Sequence, residues 1–100
     1  MEAKRINFDK DFDFDDISPR YCYFNDDRVE FLVFERYVGP TTLQYLPNGG
    51  IQSLYHGFLI VKVNNGFLKV SEVAFNKEKL TSDHFIKKVG EENLANQVLL

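Results

Sequence analysis

A chain of 100 residues with 44% hydrophobic and 27% charged residues is long enough to bury one core and too short for a catalytic domain plus a second module, and that composition excludes intrinsic disorder. Ten Phe and five Tyr with no Trp point to a strand-rich core built on rings. A formal net charge of −3 argues against a dedicated nucleic-acid binder, whose usual footprint is basic.

In chain order, INFDKDFDFDD alternates Phe8, Phe12 and Phe14 with aspartates. That is the pattern of an exposed edge strand or of an extended arm, over 1–13, that lays its rings on the body. Pro19 breaks the chain. YCYFN reads as a short aromatic strand, DD as a turn, and RVEFLVFERYV as the longest β-type run, making a hairpin over 21–38. Alternation puts Val29, Phe31, Val33 and Tyr37 on one face of that run and Leu32 and Phe34 among charges on the other.

GPTTLQYLPNGG sets a short strand, TLQYL, among turn residues, and PNGG predicts a turn because Asn and Gly accept positive φ. IQSLYHGFLIVKV returns as a strand with a bulge at Gly57. NNG then supplies the Asn-Gly dipeptide of a two-residue type I′ hairpin, and FLKVSEVAF runs back. Thr81 is placed to cap a helix over SDHFIKKV, with Asp83 in its first turn, Lys87 and Lys88 in its last, and Gly90 as its stop. EENLANQVLL adds another helical turn and then a short strand. One domain over 1–100 is expected, mainly β, with five or six strands and one short C-terminal helix arranged as a small barrel.

Chemistry-bearing patterns are sparse. An EF-hand loop begun at Asp9 puts Phe14 at the glycine and Arg20 at the bidentate glutamate, and one begun at Asp11 puts Asp16 and Cys22 there. The aspartates of 9–16 therefore read as a solvated edge that discourages strand addition. Two His and one Cys are too few for a four-ligand zinc site, and neither G-x-S-x-G nor C-x-x-C occurs. His56 and His84 read as surface residues and Cys22 as a small core residue. No catalytic pair, metal site or cofactor site is expected.

The lone Cys22 cannot close an internal disulfide, MEAKRINF lacks the apolar run of a signal peptide, and FLVF and GFLIV fall far short of the ~20 residues of a membrane span. The expectation is a soluble protein of a reducing cytoplasm with no membrane role.

Charge is unevenly spread. Residues 1–37 hold six basic residues against ten carboxylates, and residues 38–100 hold six lysines against five, so any anion-binding face is expected in the second part. The six are Lys62, Lys69, Lys77, Lys79, Lys87 and Lys88. Their competing reading is ordinary decoration of solvent faces.

VNNGFLKVSEVAFNKEKLTSDHF resembles the end of the C-terminal domain of methionyl-tRNA formyltransferases, where a G-D-G turn leads into a strand and then into G-K-K-x-M-S-A-x-D-F/L, the start of the last short helix. Asn65 and Gly66 stand at the turn, Asn76 and Lys77 at the Gly-Lys, and Glu78 at the second Lys. Leu80, Thr81 and Phe85 stand at the Met, Ser and aromatic or leucine. Upstream, ISPRYCYFNDDRVEFLVFERYV is similar to the family's S-P-W-P-G-A segment and first long hairpin strand, with Ser18 and Pro19 at the Ser-Pro. The resemblance spans roughly 14–100.

It implies an open Greek-key barrel related to the OB fold, without catalysis, because in that family the formyl-folate site lies in a separate N-terminal domain. In that family the domain helps hold tRNA, so the expected contact is with tRNA or another polyanion through the six lysines, with Arg20 or Arg36. Tyr21, Tyr23 and Tyr37 are read as rings that stack on bases where exposed, against the competing reading of core packing. Two departures are the acidic balance and Glu78 at a lysine position. The rival expectation is a protein-interaction or dimerisation module, as in the comparable domains of sugar-amine N-formyltransferases, docking on a catalytic formyltransferase domain or on a second copy with no RNA role.

Overall fold

A computed structural model of the chain describes residues 3–39, 46–53, 57–95 and 97–100. Two turns of the same kind organise it. Asn25–Asp26 (φ 50° and 72°) and Asn76–Lys77 (φ 51° and 70°) each hold two consecutive positive φ values, the type I′ pattern that suits the right-handed twist of adjoining strands. The first joins β2 (Arg20–Phe24) to β3 (Asp27–Arg36), and the second joins β6 (Gly66–Phe75) to β7 (Glu78–Thr81). The remaining elements are β1 (Lys4–Arg5), β4 (Ile51–Ser53), β5 (Leu59–Val63), α1 (Ser82–Val89) and α2 (Glu91–Ala95).

The strand order is β1-β2-β3-β6-β5-β4, with β7 also on β6. Pairing is antiparallel except for β1 on β2. In β3-β6-β5-β4, three consecutive strands form hairpins and β3 lies beside the last of them, a Greek key. β5 and β7 lie end to end along one edge of β6, β5 opposite Gly66–Val70 and β7 opposite Glu72–Phe75. The chain is thus the mainly β, open barrel that its sequence predicts, with seven strands among the described residues where five or six are expected, and a second helix of five residues.

Residues 98–100 form no strand of the kind expected there, only an isolated bridge and main-chain bonds that seam the two edges of the open sheet. Leu99 N–H donates to Gly49 O (2.9 Å), Val98 bridges Gly50, and Tyr23 and Leu100 exchange both main-chain hydrogen bonds at 2.8 and 3.0 Å.

Four local expectations change. The first turn lies at Asn25–Asp26, one residue before DD. IQSLYHGFLIVKV is two paired strands, β4 and β5, with Gly57 (φ 81°) in the connection rather than at a bulge. The β5–β6 loop is Asn64–Asn65, and neither has the positive φ of a type I′ turn. In β3, Val33 is exposed while Phe34 packs on the core. The cause is a pair of register shifts around Val33: Phe31 faces Val73, Val33 faces Glu72, and Phe34 faces Val70. β6 makes the same three-residue step between its buried Val70 and Val73, so both long strands change face together and bend the sheet. All of the expected strand TLQYL but Leu46, and His56, lie outside the described residues.

Aromatic clusters close the two ends. At one, Thr81 Oγ1 caps α1 by accepting from His84 N–H, and Gly90 N–H returns to Ile86 O. The helix thereby sets Phe85 5.1 Å from Phe75 and 6.1 Å from Phe24, ring centre to ring centre. At the other, the N-terminal segment is an arm: Phe8 and Phe12 are buried and Phe12 lies 5.8 Å from Phe34. Asn65 holds it by accepting from Phe12 N–H (2.8 Å) and donating to Phe12 O (3.0 Å). The aspartates are not a strand edge. Asp13 and Asp16 each accept the N–H two residues on, as Asn7 does from Asp9, so they cap successive turns of the arm. Among the described residues no helix is long and apolar enough to cross a membrane.

Candidate nucleic-acid interface

The fold disperses most of the cations selected from sequence. Lys62 Nζ donates to Asn48 Oδ1 (3.2 Å) and Val63 O (3.0 Å). Lys69 lies 3.8 Å from the Glu35 carboxylate and 4.2 Å over the Phe58 ring. Lys87 pairs with Asp83 at 3.0 Å and Lys88 with Glu78 at 2.7 Å. Arg36 covers the Phe14 ring at 4.6 Å on the arm end.

Arg20 is buried. It bonds Asp16 at 2.6 Å and donates to Ser18 O at 2.8 Å, which makes it a latch for the arm and not a ligand. The Ser18 hydroxyl, then the Ser18 amide and the Arg20 guanidinium, hold the Asp16 carboxyl below the usual carboxylate range. Burial pushes the Cys22 thiol up to about 12, so it is no nucleophile.

Lys77 and Lys79 are different: among the described residues neither side chain makes a hydrogen bond, an ion pair or a ring contact. The Asn76–Lys77 turn carries them onto the outer face of the sheet. Because Cys22 and Phe24 point inward, Tyr21 and Tyr23 point outward. The register then lines up Arg5, Tyr21, Glu30, Ala74 and Lys79 as one row across β1, β2, β3, β6 and β7. The next row pairs Tyr23 with Arg28.

Arg28 lies 4.0 Å over the Tyr21 ring and 3.0 Å from Glu30, Arg5 lies 4.9 Å over the Tyr23 ring, and the two tyrosines meet edge to face at 5.9 Å. Beside them a depression of about 320 Å³ is lined by Arg28, Glu30, Ala74, Asn76 and Lys77. Four cations, two outward tyrosines and one carboxylate make this the best candidate for an anion-binding face.

Arg5 and Arg28 were not singled out by sequence. Both belong to the acidic part of the chain, where a count of charges hides them. The usable signal was alternation, since Val29 and Phe31 inward imply Arg28 and Glu30 outward beside the tyrosines. Among the described residues no group of three or more His, Cys, Asp and Glu is arranged to hold a metal ion. No protein-family model matches the chain, and no curated protein matches it.

Proposed function

We propose that this chain is a non-catalytic accessory domain of the formyltransferase C-terminal type, related to the OB fold and working in the cytoplasm, whose outer sheet face makes weak, salt-sensitive contact with tRNA or another polyanion. The order of elements supports the family reading: β6, the turn at Asn76–Lys77, β7, the Thr81 cap and α1 follow one another as the resembling segment would. One observation carries the functional reading. The two candidate lysines whose side chains make no hydrogen bond, ion pair or ring contact among the described residues, Lys77 and Lys79, share a face with Arg5, Arg28, Tyr21 and Tyr23.

Four cations on phosphates give a salt slope of about 3 at ~0.7 per single-strand phosphate, which is modest binding and suits an acidic chain. The rings offer stacking surface whose affinity does not depend on sequence. The test is a titration of labelled bulk tRNA at low and near-physiological salt, with Lys77→Glu, Lys79→Glu as the comparison. Binding that weakens with salt and drops several-fold in the variant is expected. No binding at low salt, with a dimer that ignores salt, would turn the reading toward docking on a protein.

A further inference from the structure

The outer face holds one group that a simple phosphate site would not. Glu30 stands in the wall of the depression with Arg28 and Lys77, where its charge repels phosphate. A carboxylate there is useful to a ligand that brings N–H donors as well as negative charge. Nucleobases with an exocyclic amine do both, and a carboxylate accepting from cytosine N4 is a known direct contact.

Shape points the same way. Along the row Tyr21, Glu30, Ala74, Lys79 the small side chain falls on β6, so the floor is a methyl group framed by longer neighbours. At about 320 Å³ the hollow is at the lower bound for small-ligand sites, suited to one planar heterocycle. Glu30 uses one oxygen on Arg28 at 3.0 Å, which leaves its other oxygen as an acceptor. Arg28 and Lys77 at the rim are placed for the flanking phosphates, and the guanidinium plane over Tyr21 offers the next base a stacking surface.

Resting on the polyanion reading above, we propose that the Ala74 depression takes one unpaired, amino-bearing nucleobase of a single strand, its edge facing Glu30 and Asn76 and its phosphates on Arg28 and Lys77. A base stacked between its neighbours in a duplex cannot turn into the hollow, so duplex is excluded from it.

The test is fluorescence anisotropy with four labelled probes: a short oligocytidine, an oligouridine of the same length, a duplex of that length, and inorganic polyphosphate. Oligocytidine should bind at least roughly fivefold tighter than oligouridine or duplex, the lower bound for one good base contact. Ala74→Leu, which fills the hollow from the outer face, should erase that preference and leave polyphosphate binding unchanged. Glu30→Gln, which needs no repacking, should erase the cytidine preference while polyphosphate, freed of a repelling charge, binds at least as tightly as before. Equal binding of the three nucleic acids, or a preference that survives both substitutions, overturns the base site while the polyanion reading stands. Failure of all four probes and of tRNA overturns both.

Discussion

The two ends of the barrel are closed by different means. The helix end is sealed by apolar contact: Phe85 of α1 is buried against Phe24 and Phe75, an interaction that scales with area and needs no angular match. The arm end also uses rings, but the arm pairs with a strand only at Lys4–Arg5. It is held in place by directional bonds, from Asn65 to the Phe12 main chain and from Arg20 to Asp16 and Ser18. Such bonds position a segment that has no helix or ladder of its own, and each contributes modestly to net stability. On the outer face Tyr21, Arg28 and Lys79 belong to β2, β3 and β7 while Arg5 is carried by the arm, so loosening the arm should reach that face only through Arg5.

The largest effect should come from the helix end. Phe85→Ala is expected to cost about 3–5 kcal/mol, measured by denaturant unfolding. The Cys22 thiol, buried and pushed up to about 12, should change from unreactive to readily labelled. A loss below 1 kcal/mol would mean that α1 does not close the core.

Asn65→Ala removes the partner of the Phe12 N–H and O and should cost about 1–3 kcal/mol. The loss should be confined to the arm: amide exchange at Phe12 accelerates while Cys22 stays protected. Cys22 labelling as fast as in Phe85→Ala would erase the distinction between the ends.

The smallest effect is a dependence on pH. Asp16 is held below its ordinary value in the folded chain, so its contribution is complete above the unfolded carboxylate pKa of about 3.9 and is lost as pH falls below that. Acidification should therefore loosen Ser18 and Phe12 before the helix end, as followed by amide exchange. In Asp16→Asn the arm should be looser already at neutral pH, and this acid response should disappear.

Local chemistry was legible wherever a single segment carried the whole cause. Thr81, Asp83 and Gly90 mark α1 because capping is decided within a few residues. The mainly β barrel follows from alternation and turn residues, and the choice between arm and edge strand stayed open because period-2 alternation is shared by both. The positive-φ turns were missed at Asn25–Asp26 and Asn76–Lys77 and expected instead at Asn65–Gly66, since turn type depends on the strands it must join.

The fate of the cations was beyond the sequence for the same reason. Lys69 meets Glu35 across β3 and β6, and Lys88 meets Glu78 between helix and strand, pairings fixed by register and docking. So the sequence by itself determined the elements, the ring-filled core and the supply of charges. Only the tertiary structure decided which charges are neutralised at home and which share the outer face with Tyr21 and Tyr23, because strand register and the shared face change of β3 and β6 are properties of paired strands and not of either strand alone.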